Sequence, residues 1–336
     1  MKKVVNDQNA FLEESLAGIL EAYPEYLQCS DLDTRAIFRA GTPDKDKVSV
    51  ITGGGFGHLP LFLGYVGDGL CDGVAVGNIF STPSASTVYL VTKALPVQKG
   101  VLYIIGNYLG DLMNFEMAAE RATADKIESK IVIISDDVAS APRGEWRNRR
   151  GISGLVFAYK IAGAAAKKRY TLRETACLVE KANENMATFG VAFTSCQLPG
   201  ANLPVFSIGE DEMELGVGIH GERGVKRVKM MSSHEISEMA VQMLTEDLNL
   251  SEGDQTAVLI NGLGATSREE QHILFHDVSQ CLRSRGVILK RSYLGEYATC
   301  LEMSGVSISL LKLDPELLML LSEPAYSPFI SFHGIR

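Results

Sequence analysis

Residues 51–60 read Ile-Thr-Gly-Gly-Gly-Phe-Gly-His-Leu-Pro and follow the apolar run Val48-Ser49-Val50. An apolar run that empties into glycines predicts a strand over 48–52 released into a glycine loop. Gly53, Gly54, Gly55 and Gly57 fill four of five consecutive positions. Glycine costs backbone entropy, so such a cluster belongs where the chain takes positive φ or a ligand touches the backbone. His58 stands at the mouth of the loop, and imidazole is the side chain whose ordinary pKa lies nearest neutrality. A tight strand-to-helix turn that merely contains a histidine would read the same way, because short glycine motifs match by chance.

The same pattern recurs outward from this stretch. Upstream, Phe11, Leu12, Leu16, Ile19 and Leu20 fall at helical spacing over 8–23, and a loop rich in Asp and Thr leads to residue 48. Downstream, Gly73–Gly77 predicts a strand whose end passes through Phe80-Ser81-Thr82-Pro83-Ser84 into a helix. Val101–Ile105 and Lys130–Ile134 are continuous apolar runs, as in strands covered on both faces. The first is released through Gly106-Asn107-Tyr108-Leu109-Gly110-Asp111 into a helix over 112–124, and the second into Ser135-Asp136-Asp137. Strand, polar loop and helix in repeated succession predict an α/β layer with a mixed or mostly parallel sheet, whose ligands bind beyond the carboxyl ends of the strands.

Helices over 154–168 and 171–186 follow, the first preceded by the basic cluster Arg147-Asn148-Arg149-Arg150, which reads as a solvated helix start. Residues 196–204 turn to Pro, Gly, Asn and Leu, which places a domain crossing there and divides the chain into 1–195 and 196–336. In the second part His220 ends a strand-like segment and has Gly218 and Gly221 for neighbours, so its ring is reachable. Further α/β elements follow: a helix over 233–246, strands at 257–260, 286–293 and 306–313, and an aromatic tail from Pro324 that docks on the body.

The excluded classes are as informative. A length of 336 residues fits two α/β domains, and the net charge of −9 lacks the basic face that nucleic acid requires. No apolar run approaches a membrane span or a signal-peptide core, and six scattered cysteines form neither a CxxC nor a disulfide framework, so a reducing cytoplasm is expected. His272 and His276 share a helix face without a third ligand, so no metal is expected. There is no P-loop, no dinucleotide fingerprint and no GxSxG elbow. His58, His220 and Asp111 remain, a set suited to a small polar ligand at a domain interface.

The segments GGGFGHLP (53–60), NIFSTP (78–83), NYLGDLMNFE (107–116), DD with RRG (136–151), EMELGVGIHGERG (212–224), NGLGAT (261–266) and MSGVSISLLK (303–312) resemble the DhaK family, the substrate-binding subunits of dihydroxyacetone kinases. The likeness runs in order over nearly the whole chain. It implies two α/β domains, a homodimer, and a short ketose bound where the domains meet. His220 matches the histidine that adds through its ring nitrogen to the substrate carbonyl, giving a covalent hemiaminal. A neutral imidazole is nucleophilic near pH 7, and only a carbonyl compound can be captured in this way. His58 matches the general base for the attacking hydroxyl, and Asp111 the carboxylate that assists it. Gly55, Phe56, Gly57, Gly106 and Ser81 match positions that line the substrate. The resemblance implies no cofactor on this chain and ADP or ATP with Mg on a partner L-type subunit, the phosphoryl donor being either ATP or a phosphotransferase system.

There are three departures from the family pattern, of which the substitutions lie at the substrate. The family's GGGSGHEP has Phe56 for serine and Leu59 for glutamate here, a substrate-contacting lysine is replaced by Gly106, and the connection from Glu246 to Thr256 is shorter. Gly106 would leave room for one more carbon and hydroxyl, with Phe56 as an apolar wall opposite, which points to a tetrulose such as erythrulose beside dihydroxyacetone. Alternatively Lys45, Lys93 or Lys99 reaches in and the substrate is unchanged. Two functions stay open: a kinase subunit, and a non-catalytic ketose sensor that activates a transcription regulator.

Overall fold

Two six-stranded sheets carry the chain in the computed structural model, which describes residues 3–42, 44–222 and 224–334. In chain order the elements are α1 (Phe11–Ala22), β1 (Leu27–Ser30), β2 (Asp33–Arg39), β3 (Ser49–Phe56), β4 (Gly73–Ile79), α2 (Ala85–Ala94), β5 (Val101–Gly106), α3 (Leu109–Ala124) and β6 (Ser129–Ile134). Then come α4 (Leu155–Lys167), α5 (Leu172–Glu184), β7 (Met186–Ala192), β8 (Glu212–Leu215), β9 (Lys226–Lys229), α6 (Ser233–Asp247) and β10 (Gln255–Gly262). The chain continues through α7 (Arg268–Ser284), β11 (Ile288–Glu296), β12 (Gly305–Leu313), α8 (Pro315–Ser322), β13 (Ala325–Tyr326) and β14 (Ser331–Phe332).

The chain forms two compact units that are nested in sequence. One comprises Met1–Ile134, Phe157–Lys181 and Met319–Arg336, and the other Ser135–Val156 and Ala182–Leu318. A single crossing near residue 196 does not describe this division. β7, which precedes that point, is hydrogen-bonded to β12 and β8, so residues 186–192 belong with the later strands.

In the first unit the strand order is β1-β2-β4-β3-β5-β6, with β4, β3, β5 and β6 parallel and the β1–β2 hairpin antiparallel at one edge. That hairpin occupies the stretch read as loop, because its polar residues Asp33-Thr34-Arg35 fall together ahead of the apolar Ala36-Ile37-Phe38 and leave no alternation to read. β3 is buried throughout. Ile51 joins Tyr103, Ile105, Phe115 and Val88 in the core under α2 and α3, while Thr52 on the other face bonds Tyr159 of α4 at 2.6 Å. Burial on both faces explains its unbroken apolar run. β6 is an edge strand with exposed and intermediate positions, not the fully covered strand its sequence suggested. The aromatic tail does dock: Phe329 and Tyr326 lie edge-on or tilted against Tyr23 and Tyr26 at 5.4 and 5.6 Å.

The second sheet, β11-β10-β12-β7-β8-β9, is mixed: β10 and β11 run parallel and the remaining neighbours antiparallel. One face is apolar, Phe189, Val191, Val258, Ile260, Ile308 and Leu310 packing with residues of α6 and α7. The other carries hydroxyl and amide groups bonded to one another, Thr188 to Ser309 at 2.7 Å and Asn261 to Ser307 at 2.9 Å. Alternation along β7 and β12 assigns the two characters to the two faces.

Candidate functional site

The glycines after Ile51 are mostly strand, not loop. Gly53, Gly54 and Gly55 continue β3, and positive φ begins only at Gly57 (φ 100°). Their need for glycine is one of space. A Cβ at Gly53 would lie 2.7 Å from the Ala75 carbonyl, one at Gly54 would lie 2.3 Å from Cζ of Phe62, and one at Gly55 would lie 2.6 Å from the Ser81 amide. The loop after β4 therefore folds directly onto the backbone of β3, and Ser81 is held there at the surface with its hydroxyl on the Ile79 carbonyl. His58 follows Gly57, fully buried, with its ring stacked on Phe80 at 4.8 Å and edge-on to Phe62 at 5.9 Å. Stacking between aromatic rings fixes the imidazole plane.

Asp111 is buried and lies in the first turn of α3, which begins three residues before the predicted start. It is thus not a strand-end residue. Gly110 beside it lies against Thr82, whose Oγ1 would be 2.6 Å from an added Cβ, so α3 abuts the loop that holds Ser81. Gly106 closes β5, two residues past the paired positions Thr52 and Ile104, at the level of Gly54. The carboxyl ends of β3 and β5 thus bring Gly55, Gly57, His58, Gly106 and Asp111 to one end of the first sheet. Phe56 is buried with its ring edge-on to Phe11 of α1 at 6.2 Å, and it lines a small pocket with Gly54, Gly55, Gly57 and His58. A larger cleft, about 390 Å³, opens at the opposite end of this sheet among Arg39, Lys47, Asp68 and Asp72. Its charges are already matched, Lys47 to Asp72 and Lys167 to Asp68 both at 2.5 Å, and none of the predicted site residues lines it.

In the second unit β8 ends at Leu215, five residues before His220, so the histidine sits in an irregular segment and not at a strand end. Gly216 (φ 74°) turns the chain, and its amide bonds the Gly190 carbonyl at 2.7 Å. The His220 side chain is 17 % exposed, with Nδ1 3.4 Å from Oε1 of Glu222, whose Oε2 accepts the His220 amide at 3.0 Å. Burial raises the Glu222 carboxyl, but the His220 hydrogen bond and charge, its own amide and Arg150 outweigh it and leave the pKa at about 2. Arg150 is anchored by Asp137 at 2.6 Å and donates to the Gly216 carbonyl at 2.9 Å. Asp137 is pushed up to about 6 by burial, which the Arg150 charge opposes. The basic cluster is therefore no solvated helix start: Arg149, 1 % exposed, is clamped in two bonds to Asp247 at 2.6 and 2.9 Å.

Residues 17–329 match the Dak1 domain family. The chain belongs to that family. It is 40% identical to the dihydroxyacetone-binding subunit DhaK of PTS-dependent dihydroxyacetone kinase 2 from Listeria innocua, over 98% of this chain and 99% of that one. It is also 40% identical to the D-erythrulose kinase of Mycolicibacterium smegmatis, over 98% of this chain and 56% of that longer protein. Among solved structures the dihydroxyacetone kinase operon co-activator DhaQ superposes with a TM-score of 0.90 at 30% identity, covering 96% of this chain and 99% of the other.

Within this Dak1 chain, sequence reasoning singled out His58, Asp111, His220 and the glycines, and did not single out Glu222 or the pair Asp137–Arg150 beside His220. The signal was present in the DD with RRG spacing and in the glutamate two residues after His220. Charged residues next to glycines read as surface turns unless a partner far along the chain is known. Lys45, Lys93 and Lys99 do not compensate for Gly106. Lys45 and Lys99 precede β3 and β5, at the end of the sheet where those strands begin, and Lys93 is bonded to Asp125 at 2.8 Å. β5 separates Lys99 from Gly106 by six residues, roughly 20 Å of extended strand.

Proposed function

We propose that this chain is the ketose-binding subunit of a dihydroxyacetone-type kinase, whose phosphoryl group comes from a nucleotide carried by an L-type partner subunit. The observation that carries the reading is the end-to-end 40% identity to a protein described as a dihydroxyacetone-binding subunit, and the family resemblance assigns its roles to His58, Asp111 and His220. In this reading Nε2 of His220 adds to the ketose carbonyl. A compound without a carbonyl is rejected because it cannot form that bond. His58 accepts the proton of the terminal hydroxyl as it attacks phosphorus, and Asp111 supports it. Dihydroxyacetone and the tetrulose erythrulose are the substrates considered, the second because a D-erythrulose kinase is among the relatives.

The test is a mass measurement followed by reconstitution. The purified chain exposed to dihydroxyacetone should gain the mass of one ketose, and His220→Ala should not. With ATP alone it should phosphorylate nothing; with an L-type subunit and its donor, His58→Ala should lower turnover about 10²–10⁴-fold, the usual size of a general-base contribution. Turnover of ATP by this chain alone would remove the partner from the reading. A second reading, a ketose-binding co-activator of a transcription regulator, is favoured by the likeness to the DhaQ co-activator. A co-activator needs ketose binding but no base, so His58→Ala would leave its regulatory output intact.

A further inference from the structure

One carboxylate in the second unit meets both the backbone N–H and a ring nitrogen of a single residue. Oε2 of Glu222 accepts the His220 amide at 3.0 Å, and Oε1 lies 3.4 Å from Nδ1 of the same residue. The arrangement is built. Gly218 has no Cβ where the Glu222 carboxylate lies, and a Cβ there would also come 3.0 Å from Nη1 of Arg150. Arg150 in turn is fixed by Asp137 and by the Gly216 carbonyl. The carboxylate is thus backed by a guanidinium and turned toward the imidazole. The 3.4 Å separation is longer than a strong hydrogen bond, as such contacts often are before the reacting complex forms.

We infer that Glu222 is a positioning residue for ketose capture: it holds the His220 imidazole as the Nδ1–H tautomer, so that the lone pair of Nε2 is the one directed at the carbonyl. This rests on the capture reading above. Neutral imidazole has one N–H and one lone pair, and the partner of one nitrogen decides which nitrogen keeps the lone pair. When Nε2 attacks, the N–C bond forms, the π pair of the C=O moves to oxygen, and the oxygen takes a proton from solvent. The ring is left with its Nδ1–H and a positive charge, which the Glu222 carboxylate faces. Its low pKa keeps that carboxylate ionised across the working pH range. The negative charge serves the adduct more than the free ring, so it favours capture and not merely orientation.

The discriminating substitution is Glu222→Gln. A carboxylate accepts from both N–H groups at once, whereas an amide offers one acceptor and one donor. If its oxygen keeps the His220 amide, its NH₂ faces Nδ1 and moves the ring proton to Nε2, the wrong atom for attack. Histidine ¹⁵N spectra of the whole chain, with His220→Ala to assign the signal, report the tautomer without any ketose. Intact mass with dihydroxyacetone then reports capture. Wild type should show Nδ1 protonated and Nε2 bare. Glu222→Gln should move the proton to Nε2 and lower adduct occupancy about 10–100-fold, the usual cost of losing a residue that orients another. Glu222→Asp, which keeps two acceptors, should retain the tautomer. A wild-type ring protonated on Nε2, or a Glu222→Gln chain with unchanged tautomer and capture, overturns the inference. Failure of the capture reading looks different: no adduct in wild type, with a tautomer that still follows residue 222. Should Glu222→Gln not fold, the wild-type and Glu222→Asp spectra decide alone.

Discussion

Gly106 is the residue at which substrate choice is open. It ends β5 at the same end of the sheet as Gly55 and His58, and the lysines weighed as substitutes are at the other end or paired elsewhere. A lysine ammonium on a substrate hydroxyl contributes about 1.5–3 kcal/mol, so its absence should weaken a triose that has nothing else to fill the space. The Phe56 ring packs against Phe11, so the argument for a reshaped pocket rests chiefly on Gly106. The expected outcome is that wild type prefers one erythrulose enantiomer to dihydroxyacetone and that Gly106→Lys shifts the ratio toward dihydroxyacetone by about tenfold or more. Competition between the three ketoses for adduct formation measures it. A wild-type preference for the triose that the lysine leaves unaltered would discard the idea.

Among the elements, the segment 143–149 shows why some of the fold was hidden in the sequence. Four polar or charged residues in a row, Arg147-Asn148-Arg149-Arg150, carry no sign that two of the arginines are taken out of water. Their partners, Asp137 and Asp247, lie 13 and 98 residues away. Asp247 is the last residue of α6, so the Arg149 clamp ties this segment to the end of that helix. Removing one member of a buried pair costs up to about 3–5 kcal/mol when the other charge is left uncompensated, a cost lessened here by Arg143, whose Nη1 lies 3.6 Å from Asp247. Arg149→Ala should therefore lower the denaturation midpoint sharply, and Arg149→Ala/Asp247→Ala should recover part of the loss. Urea titration of the four proteins decides it; equal stability of Arg149→Ala and wild type would show that the pair does not hold the segment. By contrast, β3, β4 and β5 were legible as strands because burial on both faces leaves an unbroken apolar run. The β1–β2 hairpin was not, since Asp33, Thr34 and Arg35 resemble a loop when read without their neighbours. At the site the reactive types stood out as histidines among glycines. The glycines themselves were misread, because the strain they avoid comes from Phe62, Ala75 and Ser81, contacts that only the fold supplies.

For the whole molecule the deciding feature is that the first unit is assembled from three separated stretches of chain. Lys160 of α4 is 1 % exposed and donates to the carbonyls of Leu320 and Glu323, with its ammonium 5.9 Å from the Phe332 ring centroid. Burial lowers its pKa to about 8, against a smaller opposing effect of the Glu323 charge. Below that value folded and unfolded chains both bind the proton. Between about 8 and the ordinary lysine range the unfolded chain binds more, so the contribution of this group to stability rises with pH. The stability of wild type relative to Lys160→Met should accordingly increase from pH 7.5 to pH 9.5. Paired melts at the two pH values measure the difference, and a constant difference would mean that Lys160 is not desolvated in solution.

The nesting also sets an order of events during synthesis. Domains tend to form as the chain emerges, from the amino end onward. Here the stretch 182–318 that largely builds the second unit leaves the ribosome before 319–336, which the first unit requires. The unit that starts first is therefore completed second, and residues 64–69, against which the β13–β14 hairpin packs, wait for it while the later-made unit folds.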